Sequence, residues 1–237
     1  MNIKRLEWDS DFFGYEIGKG YLESLSDIDC EFLNHACANF KLVYIFTNNL
    51  IKCEALNLVD EKITFELENY KAQTVLLDEG FEIKSFQLYR NRPDKQKALK
   101  DLALEAGIYS RFKTDSNFTN NEYEKLYIEW IESSLSGSNA FEVLVVVDNI
   151  ARILGFITLG RKGKDLGEIG LIAVSEKARG KGIGKALIKR SLNIFLDMEI
   201  NTVQVVTQKR NLPAMALYNS VGFKIKESLN IYHFWNI

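Results

Sequence analysis

Arg179-Gly180-Lys181-Gly182-Ile183-Gly184-Lys185 is the stretch that decides how the rest of the chain is read. Glycine at every second position lets the backbone turn tightly and brings N–H groups close to a ligand with no Cβ in the way. An apolar run, Glu168 to Val174, comes just before it. An amphipathic run at helical spacing follows, through Ile183, Leu187, Ile188, Leu192, Phe195 and Met198. A glycine loop between a strand and a helix presents its amides at a helix N-terminus, where the dipole favours negative charge. The segment is therefore expected to hold phosphate oxygens. Local charge points the same way, because Gly160 to Arg190 holds nine basic residues against three acidic ones. The alternative is a flexible glycine loop with solvated lysines.

Two familiar phosphate loops fail on spacing. A Walker A loop needs Ser or Thr after its lysine, and Lys185 is followed by Ala186. A dinucleotide fingerprint needs its third glycine three residues after the second, and Gly184 follows Gly182 by two.

Outward from the loop, strands and helices alternate. Thr119 to Glu122 has the spacing of a capping box, with Phe118 and Tyr123 placed as a hydrophobic staple. Tyr123, Leu126, Tyr127, Trp130, Ile131 and Ser134 then follow a helical period. Phe141–Val147, Arg152–Leu159 and Glu168–Val174 read as a three-strand meander with a turn at Asp148-Asn149. The glycine-loop helix, a strand at Val203–Thr207, another helix and a final strand-rich stretch from Gly222 to Trp235 complete the pattern. The fold class is α+β, a mixed and mostly antiparallel sheet flanked by helices.

The chain has 237 residues and a net charge of −2, with 46% hydrophobic and 26% charged residues. That composition excludes disorder and collagen, and it gives no bulk charge to hold nucleic acid. No apolar stretch long enough to span a bilayer and no secretory leader is visible, so no membrane partner and a cytoplasmic location are expected. Cys30, Cys37 and Cys53 make no disulfide framework, and with His35 they lack zinc-ligand spacing, so no metal is assigned. The polar stretch around Pro93 divides the chain into residues 1–95 and 96–237. An internal echo links the two parts. Leu42–Thr47 matches Thr202–Thr207, and Leu76–Lys84 matches Tyr218–Lys226, each of the latter pair with a Gly-Phe. The first part is read as a partial copy of the second, with Leu76 standing where Tyr218 stands; any strand–helix–strand segment is the plainer alternative.

A second block, Asn211-Leu212-Pro213-Ala214-Met215-Ala216-Leu217-Tyr218 followed by Gly222-Phe223, stands downstream. Together, the Arg-Gly-x-Gly-x-Gly loop and this block resemble the GNAT N-acetyltransferases over about residues 100–237. Trp8 to Gly14, Ser110-Arg111-Phe112 and Glu129-Trp130-Ile131 look like the corresponding patches of dTDP-fucosamine N-acetyltransferases, which carry an extra N-terminal domain.

The resemblance implies a GNAT fold with a partial GNAT-like first part, and acetyl-CoA as co-substrate. It implies that the amides of Arg179, Gly180, Lys181, Gly182, Ile183, Gly184 and Lys185 grip the CoA diphosphate. The strand Leu171, Ile172, Ala173, Val174 would part from Val203–Thr207 and pair with the pantetheine arm like an added strand. Asn211 and Ala214 would complete that site, with Asn211 bonding the arm. A backbone N–H of the parted strand would stabilise the oxyanion, and Tyr218 would protonate the departing sulfur. The other reading of Tyr218 is a core aromatic.

The acceptor implied is the amine of a dTDP-linked amino-deoxy sugar. The alternatives are a protein or small-molecule amine, or a non-catalytic CoA-binding module, and a homodimer is possible for any of them. Arg111 is the candidate for the acceptor's diphosphate, with a surface ion pair as its alternative. Trp8 to Gly14 could stack a base or sugar, although aromatics in a first strand are more often core. No general base is readable; Glu82 is an outside candidate.

Overall fold

The computed structural model describes residues 1–22 and 30–236. The first elements are β1 (Ile3–Arg5), α1 (Glu7–Phe13), β2 (Ile17–Tyr21), α2 (Cys30–Cys37), β3 (Leu42–Thr47) and β4 (Asn57–Glu68). Next come β5 (Glu82–Ser85), α3 (Pro93–Ala106), α4 (Arg111–Thr114), α5 (Glu122–Leu135), β6 (Glu142–Val147), β7 (Ile153–Lys162) and β8 (Leu166–Val174). The chain closes with α6 (Ile183–Asp197), β9 (Thr202–Gln208), α7 (Leu212–Val221) and β10 (Lys224–Trp235).

The chain separates into two compact units. One contains Met1–Ile63, Gln208–Arg210 and Glu227–Ile237; the other contains Thr64–Thr207 and Asn211–Lys226. Residues 64–95 thus group with the second unit, where β5 pairs with β6.

In the first unit β2 lies between β1, antiparallel to it, and β3, parallel to it, and β3 pairs antiparallel with β10 from Asn230 to Trp235. Every residue of β3 is buried, as a central strand requires. Leu33, Cys37, Val43, Ile45, Tyr232 and Phe234 form the core. Burial pushes the Cys37 thiol up to about 11. The side chain of Cys30 lies outside the described residues. Trp8 to Phe13 is a helix and not a first strand; Gly14 ends it in the left-handed region at φ 79°, accepting a turn that a β-carbon would oppose. Trp8 stacks on Phe12 and stays 48% exposed, so it is not core.

In the second unit, starting from residues 64–68 of β4, the strand order is β4-β9-β8-β7-β6-β5. β6, β7 and β8 are the expected antiparallel meander, and β9 joins β8 in parallel. Val143, Val145 and Val147 face a cluster with Leu99, Leu102 and Ala103 of α3 and Ile131 of α5. The alternate residues Leu144 and Val146 are buried on the other face of β6, and α6 also packs on β6, β7 and β8. Both faces of the sheet are therefore covered. Seven α6 residues are buried, including Ile183, Leu187, Leu192 and Phe195; Met198 lies past the helix end and is exposed.

Three local expectations change. The N-cap of α5 is Asn121, at φ 59°, and Glu122 accepts the Asn120 N–H, so Thr119 closes no capping box. Phe118 packs on Phe112. Leu76 is exposed and lies in a stretch without helix, so the echo lacks its helix before Gly80. Pro93 opens α3, a helix the reading of the sequence did not place.

Candidate functional site

The facing pairs of β8 and β9 run from Leu166 opposite Thr202 to Ile169 opposite Val205 and stop there. Among the described residues, Gly170–Val174 has no facing partner on the β9 side. The amides of this stretch can be assigned by alternation. Leu171 N–H donates to Thr158 Oγ1 at 2.8 Å and Ser175 N–H to Leu154 O at 2.8 Å, both toward β7. The N–H groups of Ile172 and Val174, on the alternate positions, point to the open edge.

Val174 leads through a short turn into the glycine loop. Gly180 and Gly182 lie at φ 81° and 72°, where other residues are strained, and a β-carbon on either would face open space. Gly182 is the N-cap of α6 and gives no side-chain cap, and the first turn carries no acidic residue. The helical ladder starts with Ala186 N–H to Gly182 O, so the amides of Ile183, Gly184 and Lys185 are outside it. Gly184 serves packing, since its added β-carbon would lie 3.1 Å from Leu217 of α7.

Helix α7 explains the second sequence block. Asn211 Oδ1 accepts the Ala214 N–H at 3.2 Å as N-cap, and Pro213 sits in the first turn. Gly222, at φ 103°, closes the helix, and Phe223 N–H bonds back to Tyr218 O. The two caps fix the helix that carries Tyr218. Its ring lies 5.5 Å from Phe65 and 6.0 Å from Phe223 and is 2% exposed. Burial pushes the phenol well above its ordinary pKa, so it keeps its proton.

These parts meet around one cavity of about 320 Å³. Ile172, Ala173, Val174, Arg179, Gly180, Gly182, Ile183, Gly184, Lys185, Asn211, Ala214 and Tyr218 all line it. Leu171 and Lys181 do not: the Leu171 amide is turned to β7, and Lys181 Nζ stands 5.6 Å from the Phe81 ring. Arg179 bridges two elements, with Nε donating to Val174 O at 3.1 Å and Nη2 to Glu105 at 3.2 Å. The local excess of basic residues is partly committed elsewhere, since Lys162 pairs with Glu168 and Lys189 donates to Thr74 O.

Arg111 and Glu82 lie outside the lining. The Arg111 guanidinium rests on Phe112, and Glu82 pairs with Lys84. The sequence reading missed Glu105, Ala106, Ile108 and Tyr109, which line the cavity from the end of α3 and the residues after it. Pro93 at the first turn and Gly107 just past the end were the available signal for that helix.

The Acetyltransferase (GNAT) family profile matches residues 104–223, which include the glycine loop, the open stretch of β8 and α7. The chain belongs to this family. Its fold is the GNAT fold, shared with a GCN5-related N-acetyltransferase from Sphaerobacter thermophilus (TM-score 0.57, 15% identity, 81% of this chain and 59% of that one). It is also shared with a tandem GNAT protein from the clavulanic acid biosynthesis pathway (TM-score 0.58, 14% identity, 86% of this chain and 68% of that one).

Among curated relatives, the spore coat polysaccharide biosynthesis protein SpsD of Bacillus subtilis is 27% identical over 150 residues, 63% of this chain and 51% of SpsD. The dTDP-fucosamine acetyltransferase of Escherichia coli is 27% identical over 131 residues, 55% of each chain. A mycothiol acetyltransferase of Arthrobacter is 28% identical over 128 residues, 52% of this chain and 38% of that one. The matches span about half the length of these relatives, or less.

Family membership implies acetyl-CoA as co-substrate. The residues present fit it. An uncapped helix start with open space before its glycines suits a diphosphate, and an open strand edge suits an amide-bearing arm.

Proposed function

We propose that the protein is an acetyl-CoA-dependent N-acetyltransferase that passes the acetyl group directly to a primary amine, carried by a dTDP-linked amino-deoxy sugar. The observation that carries the reading is the end of the β8–β9 pairing at Ile169 and Val205, beside an uncapped glycine-rich helix start.

Acetyl-CoA, when bound, supplies an activated acyl group and a thiol leaving group. The amides from Arg179 to Lys185 bind the diphosphate, with those of Ile183, Gly184 and Lys185 outside the helical ladder. The open edge of β8 at Ile172 and Val174 pairs with the amide-bearing arm. The Asn211 side-chain oxygen is committed to capping α7, which leaves its NH₂ as the donor toward the cavity. A backbone N–H at the edge stabilises negative charge on the acyl oxygen. Tyr218 holds a proton at its hydroxyl for the departing sulfur, and burial keeps it there at neutral pH.

The sugar acceptor is supported by the names of two relatives, a dTDP-fucosamine acetyltransferase and a polysaccharide biosynthesis protein. The mycothiol acetyltransferases favour a second reading, a small-molecule amine of another kind. A partial GNAT-like first part and a GNAT part belong to the same proposal, with residues 64–95, which the sequence placed in the first part, now counted with the second. Likeness to a tandem GNAT protein over 86% of the chain supports it.

The test is CoA release across dTDP-amino sugars, other small amines and peptides. Release with the dTDP-amino sugars is expected. Release with peptides alone would end the sugar reading, and acetyl-CoA binding without turnover on any amine would leave a binding module.

A further inference from the structure

The pairing of β7 with β8 is irregular at one place. Ile157 faces Ile172 and Leu159 faces Ile169, so Thr158 alone stands opposite two residues, Gly170 and Leu171. This is a bulge in β8, a feature that bends a strand and re-aims its groups. It begins one residue after Ile169, the last residue of β8 with a partner on β9. The bend and the parting of the strands coincide.

A side chain holds this bulge. Thr158 Oγ1 accepts the Leu171 N–H at 2.8 Å, and Thr158 is 3% exposed. A β-carbon at Gly170 would lie 2.6 Å from the same oxygen, so the hydroxyl fills the space that any side chain at 170 would need. The two residues are matched: glycine admits the hydroxyl, and the hydroxyl satisfies the amide the bulge leaves over. Without it, a half-buried N–H would lack its acceptor, and the peptides on either side would turn to find another.

We infer that Thr158 is a positioning residue whose hydroxyl fixes the Gly170-Leu171 bulge and so aims the Ile172 N–H across the open edge at the acyl oxygen. This rests on the acetyltransferase reading above. Thr158 does not line the cavity, so its effect falls on the alignment of an amide and not on the grip on the carrier.

The experiment compares wild type, Thr158→Val and Thr158→Ser by CoA release, with acetyl-CoA and a dTDP-amino sugar as substrates, alongside CoA affinity by calorimetry and thermal unfolding. Valine keeps the shape and removes the acceptor; serine keeps the acceptor. The expected result is a kcat for Thr158→Val lower by about tenfold or more, within the range for a misplaced donor. CoA affinity should hold to about twofold, and Thr158→Ser should stay close to wild type. Should Thr158→Val not fold, Thr158→Ala is read the same way. A kcat for Thr158→Val equal to wild type overturns the inference and leaves the acetyltransferase reading standing. Parallel loss of kcat and CoA affinity also overturns it, because the side chain is then only structural. A wild-type protein that binds no CoA overturns the functional reading and this inference together.

Discussion

Ile169 and Val205 are the last facing residues of β8 and β9, and everything the site can do lies beyond them. Up to that pair β8 has a facing strand on both sides. After it, Ile172 and Val174 turn theirs to an edge with no strand, next to a helix start whose first amides have no cap. On the function proposed above, a ligand in the cavity supplies acceptors to these donors.

Tyr218→Phe keeps the ring contacts with Phe65 and Phe223 and removes the proton. Unfolding temperature should stay near wild type, while kcat falls by about 10²-fold or more, as loss of a general acid predicts. Burial raises the phenol's pKa, so the protonated, active form persists as pH rises. The wild-type rate should therefore climb as the acceptor amine deprotonates and show no decline up to about pH 10. Unchanged kcat in the variant removes Tyr218 from the chemistry.

Gly182→Ala places a β-carbon in open space at φ 72°, so the cost is backbone strain of about 1–2 kcal/mol and no collision. The fold should survive. The methyl should stand before the helix start and raise the KM for acetyl-CoA by about tenfold or more, which is about 1.4 kcal/mol of lost binding. Steady-state kinetics with acetyl-CoA varied checks it; an unaltered KM would mean the loop does not touch the carrier.

Asn211→Ala removes the N-cap of α7 and should cost about 1 kcal/mol of stability. Because that helix carries Tyr218, kcat and unfolding temperature should fall together. Asn211→Asp, which keeps a capping oxygen, should recover the stability. Calorimetry on the pair of variants separates capping from any bond to the carrier.

Much of this was legible in the chain, and the reasons are physical. The meander, the glycine-loop helix and α7 carry strong signals: an unbroken valine-rich run, a helical stripe from Ile183 to Phe195, and caps at Asn211 and Gly222. The cavity wall at Glu105 to Tyr109 was not legible, because only tertiary packing of α3 brings these residues there. The same holds for the bulge at Gly170. A single glycine within a strand pattern signals one weakly, and the bond that holds it joins Leu171 to Thr158 across 13 residues, with no local sign in the sequence. Trp8 to Phe13 misled because aromatics favour strands, yet Gly14 supplies a left-handed helix stop.

Glu66 gives the second unit an acid-sensitive tie. Burial pushes its pKa up, but Lys226 at 2.5 Å and Gln204 at 2.6 Å outweigh that and hold the carboxyl below its ordinary range. A depressed folded-state pKa means the stabilisation is present in full above the ordinary carboxylate range and is lost as pH falls through the lowered value. Thermal unfolding of wild type and Glu66→Gln should differ at neutral pH and converge in acid. A gap that does not shrink in acid contradicts the assignment.

The most direct test of the central claim is an amide-resolved NMR titration of the protein with acetyl-CoA. The account predicts the largest shifts at the N–H groups of Ile172, Val174, Ile183, Gly184 and Lys185, with Leu171, bonded to Thr158, moving less. Saturating acetyl-CoA that leaves these five amides unmoved would contradict it.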